Sequence, residues 1–183
     1  FFHPGFIYHN PVNIHYVEKN TPVRIPFSPD LFDYSQSGRS DLAPSDIGFA
    51  GFRIHYPLNT PTYADEIIAF LGASYFRALG KNMAYGMSAR GLAVNTAEPS
   101  GEEFPYFREF WIVHPAPKAQ EITVYALLDS RSLTGAYSFL IRPGEETAVD
   151  IKAILFFRER VHKLGLAPLT SMFFHGENTT SKI

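Results

Sequence analysis

EITVYALLDSRSLTGAYSFLIRPGEETAVDIKAILFF, residues 121–157, divides into three apolar runs separated by two short polar turns. In the third run Thr147, Val149, Ile151, Ala153, Leu155 and Phe157 recur at every second position, while Asp150, Lys152 and Arg158 share the other face. A period of two puts the apolar set on one face of an extended chain and the polar set on the other, which is the pattern of a half-buried β-strand. SRSLTG (130–135) and RPGEE (142–146) carry the Ser, Gly and Pro chemistry that reverses a chain between strands. The stretch therefore predicts three antiparallel strands in succession.

Working outward, FREFWIV (107–113) and GFRIHYPL (51–58) have the same character, and AEPSGEEFP (97–105) supplies another turn. Strands are expected at about 50–58, 67–77, 85–94, 107–113, 121–128, 135–141 and 147–157. Helical signals are confined to SPDLFDYS (28–35), PTYADEIIAF (61–70) and RERVHKLG (158–165), each long enough for a turn or two. In the first of these Ser28 and Asp30 are candidate caps and Pro29 fits a first-turn position. The Pro, Ser and Asp residues of 35–47 predict a surface loop. Short strands joined by tight turns make the expected class all-β, an antiparallel β-sandwich.

The 183 residues, 45% of them hydrophobic, suffice for one sizeable core, so a single domain spanning 1–183 is expected. Aromatics make up 15% of the chain, 17 Phe and 10 Tyr against one Trp, a share that fits aromatic-lined sheets or a sugar-stacking cleft. A formal net charge of −2 offers no basic field for nucleic acid, and no nucleic-acid partner is expected. The absence of cysteine excludes a disulfide framework, a thiol nucleophile and a zinc–thiolate site. The opening FFHPGFIYHN has neither an initiator Met nor a basic-then-apolar leader, which predicts a processed or excised chain. No apolar run approaches the roughly 20 residues that span a bilayer, so the chain is not expected to be membrane-spanning.

Compact catalytic signatures are missing. The seven histidines (His3, His9, His15, His55, His114, His162 and His175) lack HExxH or comparable ligand spacing, so neither a metal site nor a cofactor is expected. GMSARG (86–91) places its second glycine one residue late for a nucleophile elbow, and the GK at 80–81 lacks the upstream glycine of a phosphate loop. NTT (178–180) matches a glycosylation acceptor, a pattern too common to decide anything.

FLGASYFRALGKNMAYGMSARGLAV (70–94) is the informative stretch that remains, because a strand that only fills a core gains nothing from Arg77 and Arg90 set among aromatics and glycines. Alternation places Tyr75 and Arg77 on one strand face with Phe76 on the other. Glu102, Glu103 and Phe104 follow in a Gly- and Pro-framed loop, and Glu109 shares a strand face with Trp111. Aromatic rings stack on the C–H face of a pyranose, and Arg and Glu make planar, charge-assisted hydrogen bonds to vicinal hydroxyls. The same residue types also serve plain structure. Tyr75, Phe76, Tyr85, Phe104 and Trp111 fit core packing, Arg77, Arg90 and Glu109 fit cross-strand ion pairs, and Glu102 and Glu103 fit a solvated loop.

DIGFAGFRIHYPLN (46–59), the 70–94 stretch, GEEFPYFREFW (101–111), YALLDSRSLTGAYSF (125–139) and GLAPLTSMFFHGEN (165–178) together resemble the periplasmic glucan biosynthesis protein G and D family of Gram-negative bacteria, in order and over nearly the whole chain. The resemblance implies a galactose-mutarotase-like β-sandwich with an open cleft for a β-glucan polysaccharide, in a periplasmic protein of osmoregulated glucan synthesis. Members look like inverting endo-β-1,2-glucanases, so the implied chemistry is trimming of a β-1,2-linked backbone between two carboxyl groups. Tyr75, Arg77, Tyr85, Arg90, Glu103, Phe104, Glu109 and Trp111 are then the expected sugar contacts, with the glycines at 72, 80, 86 and 91 permitting tight turns and close approach. Family members are longer, with further sandwich strands and a separate immunoglobulin-like domain, so this chain is expected to be an internal piece. The family's general acid and base aspartates belong to the region beyond the matched motifs. No catalytic residue is carried over, and Asp129 is not promoted to one. The alternative reading is a non-catalytic scaffold that holds nascent glucan for a membrane glucan synthase.

Overall fold

Period-two alternation gives the three strands expected across residues 121–157. A computed structural model of the chain describes residues 1–5, 11–33 and 47–170. Its first strands are β1 (Phe2–Pro4), β2 (Asn13–Glu18), β3 (Thr21–Arg24), β4 (Phe49–Thr60), β5 (Tyr63–Leu71), β6 (Tyr75–Ala78) and β7 (Met87–Arg90). They are followed by β8 (Leu92–Val94), β9 (Tyr106–Val113), β10 (Ile122–Asp129), β11 (Leu133–Arg142), β12 (Ala148–Phe157) and β13 (Leu164–Leu166). One sheet runs β1-β4-β5-β6-β7, a second β12-β11-β10-β9-β2-β3, and β8 pairs with β13. The all-β expectation holds: the described residues contain no α-helix, and the two larger sheets form a sandwich.

In the β10–β11 hairpin Val124 pairs with Phe139 and Ala126 with Tyr137, all four buried, while Tyr125 and Leu127 face outward. Opposite them Phe52, Phe70 and Phe76 line the inner face of the five-stranded sheet, in register across β4, β5 and β6. Phe70 sits at the centre, its ring 5.1 Å from that of Phe52, 5.3 Å from Phe110 and 5.0 Å from Phe139. Phe107 and Tyr137 extend the cluster. A large part of the aromatic content is thus core, its rings meeting edge to face, obliquely or, as in Phe52–Phe70 and Tyr137–Phe139, stacked.

The structure departs from expectation in several places. PTYADEIIAF is strand β5 rather than helix, and 158–163 holds no helix either; Pro29–Leu31 is one 3-10 turn, capped by Ser28, which accepts from the Asp30 N–H. The expected 67–77 strand is a hairpin, reversed at residues 72–74 where Gly72 adopts φ 63°, so that Phe70 faces Phe76. The sheets are not wholly antiparallel, because β2 runs parallel to β9, pairing Ile14 with Phe110. Finally, β12 has the predicted alternation, with Ile151 opposite Phe139 and Phe157 opposite Leu133, yet Ile151 and Phe157 are exposed. The reason is that β12 is the edge strand of its sheet, bonded on one side only, so its apolar set overhangs the core. The expected 35–47 loop, apart from Ile47, and the 178–180 acceptor lie outside the described residues, as do His9 and His175.

Gly91 divides what reads as one strand (85–94) into β7 and β8. Its N–H donates to the Ser74 carbonyl at 2.7 Å, its own carbonyl accepts the Tyr137 hydroxyl at 3.2 Å, and a Cβ there would stand 2.8 Å from Cζ of Phe107. Gly91→Ala should therefore lower stability by about 1–3 kcal/mol by overpacking Phe107, read as a lower denaturant midpoint at unchanged slope.

Candidate functional site

The inner face of the five-stranded sheet is phenylalanine, so strand alternation directs different chemistry to its outer face. Arg53 on β4, Ala69 on β5, Arg77 on β6 and Ser88 on β7 form one cross-strand row, and Gly51, Leu71, Tyr75 and Arg90 form the next. Between them opens a groove of about 490 Å³, bounded by His3, Arg53, Ala69, Gly72, Tyr75 and Arg77. Ala69, Gly72 and Ala73 leave the space next to Leu71, and two arginines stand beside it.

Glu66 ties those arginines together. Arg77 Nη2 donates to Oε1 at 2.5 Å and Arg53 Nη1 to Oε2 at 3.1 Å, and the Glu66 side chain is only 13% exposed. Burial alone would raise its carboxyl, but the hydrogen bond and charge of Arg77, followed by those of Arg53, outweigh burial and hold it below the ordinary carboxylate value. A lowered folded value means that the stabilisation is present above the unfolded value and is lost as pH falls through the folded one. Glu66→Gln should therefore flatten the acid limb of the stability-versus-pH curve between those two values, measured by melting across that range.

The other partners complete the surface. Arg53 Nε donates to His3 Nε2 at 2.8 Å, and burial, then the Arg53 charge, pushes the His3 imidazole down. The Tyr75 hydroxyl lies 2.8 Å from Ser88 Oγ. Arg77 lies over the Tyr85 ring, 5.1 Å from its centre, and Arg90 lies 5.4 Å from the centre of the exposed Phe104 ring while donating to Glu102 at 2.5 Å. The Nε atoms of Arg77 and Arg90 are buried without a hydrogen-bond partner.

Of the residues read from sequence, the fold brings Tyr75, Arg77, Tyr85, Arg90 and Phe104 onto this one side of the sandwich. Their ion pairs and ring contacts are those that a structural role also uses. Glu103 points elsewhere: it accepts from the Ser132 N–H at 2.8 Å, from the Ser132 hydroxyl at 2.6 Å and from the Ser130 hydroxyl, bracing the β10–β11 turn. Glu109 and Trp111 project from the outer face of the six-stranded sheet, on the far side of the sandwich, where Glu109 meets His15 at 3.1 Å and Trp111 stacks on His15 at 5.3 Å. They cannot share a groove with Arg77. Asp129 is held by Arg158 at 2.8 Å. His3, Arg53 and Glu66 were not singled out from sequence. The signal for Arg53 is its odd position in the alternation of GFRIHYPL; Glu66 carries none, since it has the even spacing of Ile68 and Phe70.

No helix of the described residues is long and apolar enough to cross a membrane. The chain is 60% identical over 178 residues to glucans biosynthesis protein G of Ralstonia nicotianae, covering 97% of this chain and 35% of that protein. It is 51% identical over 181 residues to glucans biosynthesis protein G of Vibrio cholerae serotype O1, covering 99% of this chain and 33% of that protein. The chain thus spans about a third of the length of these relatives. The family described as periplasmic glucan biosynthesis protein, MdoG, matches residues 1–183, and the chain belongs to that family.

Proposed function

We propose that the outer groove of the five-stranded sheet holds a β-glucan chain, and that residues 1–183 are the glucan-binding portion of a larger periplasmic protein that trims a β-1,2-linked backbone. The observation that carries this reading is the pair Arg53 and Arg77 lining one groove with Ala69 between them and Tyr75 alongside. Guanidinium groups in that setting offer paired, planar donors to the adjacent hydroxyls of a sugar, and an aromatic ring offers a surface to its C–H face.

A non-catalytic scaffold that presents nascent glucan to a membrane synthase is the second reading: it needs the arginines and aromatic rings of the groove but not the two carboxyl groups that flank the bond in hydrolysis. Incubating the full-length protein with linear β-1,2-glucan separates the two. New reducing ends support the trimming enzyme; binding without cleavage supports the scaffold; neither binding nor cleavage overturns the glucan reading.

A further inference from the structure

Glu66 faces outward only because the strand is interrupted. Strict alternation would send Glu66 inward with Ile68 and Phe70, but the β4–β5 ladder shifts register after Ile54–Ile68, so that His55 next pairs with Glu66. Ile67 is the extra residue of this β-bulge, left without a partner on β4 between the Ile54–Ile68 and His55–Glu66 pairs. A bulge gives up regular ladder bonding and re-aims a side chain, and here it delivers a carboxylate to a point between two arginines.

Arg53 and Arg77 stand one on each side of Ala69, in the order Arg53, Ala69, Arg77 across three adjacent strands. Neighbouring strands lie about 4.8 Å apart, so the two arginine backbones are separated by roughly twice that, wide enough for one ring between the side chains. Without a bridge the two cations repel and their long side chains spread over many rotamers. Each carboxylate oxygen of Glu66 takes one Nη of one arginine, which fixes both guanidinium planes; Tyr85 then covers Arg77. Ala69 is 5% exposed and lines the groove, so any larger side chain there would grow into the space between the arginines.

We propose that Glu66 is the positioning residue of this groove and Ala69 its floor: the bulge aims Glu66 at Arg53 and Arg77, and the pair so fixed grips the adjacent hydroxyls of one glucosyl unit seated over Ala69. The inference rests on the glucan-binding reading of the groove and adds which residues set its width and donor geometry.

The test is titration of the full-length protein with linear β-1,2-gluco-oligosaccharides, by calorimetry, alongside melting of each variant. Arg77→Ala serves as the control for the reading itself. Ala69→Val, which adds two methyl groups and improves strand propensity, should keep or raise Tm while weakening binding about tenfold or more. Glu66→Gln should weaken binding to a similar extent, and on an Arg77→Ala background it should weaken it no further, because its effect passes through the arginine. If Arg77→Ala binds like wild type, the glucan reading of the groove fails, and this inference with it. If Arg77→Ala weakens binding but Ala69→Val and Glu66→Gln do not, the groove reading stands and the positioning role is overturned. A lower Tm for Glu66→Gln with normal affinity in Ala69→Val likewise reduces Glu66 to a structural ion pair.

Discussion

Phe70→Ala should lower the unfolding free energy by about 3–5 kcal/mol, the largest stability loss expected of a single side chain here. The ring is fully buried and meets those of Phe52, Phe76, Phe110 and Phe139. Removing it takes away the transfer free energy of a phenyl group and opens a cavity at the point where the two sheets touch. Neighbouring rings held on rigid strands collapse only partly into such a space, so most of the loss persists. Denaturant unfolding of the wild type and the variant measures it; a loss under about 1 kcal/mol would mean that the two sheets do not pack through this ring.

The largest effect on binding is expected at Arg77. Arg77→Ala removes the guanidinium and the partner of Glu66, and should weaken glucan affinity of the full-length protein about a hundredfold or more, the range of a lost charge-assisted hydrogen bond. Arg77→Lys is the more discriminating change. It keeps the charge and an ion pair with Glu66 but loses the planar fork, so a purely structural role tolerates it whereas sugar recognition does not. Lysine should therefore melt close to wild type, within about 0.5 kcal/mol, yet recover little of the lost affinity. Affinity restored by lysine would return Arg77 to an ordinary cross-strand ion pair.

How much of this was legible in the sequence depended on whether local periodicity carried the information. The strands β10, β11 and β12 could be read because apolar residues recur at every second position in each and turn residues bound them, although Ile154 and Phe156 share the face of Asp150 and Lys152 in β12. Strands β2 and β3 escaped notice because β2 and the residue before it contribute only Val12 and Ile14 to the buried core, and the four residues of β3 are all exposed. The apolar run IIAFLGASYF continues through the chain reversal at Gly72, so two strands read as one. On the site, the common face of Tyr75 and Arg77 followed from spacing. That Glu109 and Trp111 belong to the opposite side did not, because the sheet a strand joins is settled by pairing far along the chain: β9 bonds to β2, some 94 residues away at His15–Glu109. Glu66 was invisible for a third reason, since a bulge breaks the very period by which its direction would be judged.

Hydrogen–deuterium exchange of the full-length protein with and without linear β-1,2-glucan tests the placement of the groove most directly, because it reports every strand at once and needs no substitution. The account predicts slowed exchange on glucan addition in the segment from Tyr63 to Ala78, which forms the groove floor and carries Glu66, Tyr75 and Arg77, with β9 and β10 unchanged. Slowed exchange across β9 and β10, around Trp111 and Tyr125, with none between Tyr63 and Ala78, would contradict it and move the glucan to the other face of the sandwich.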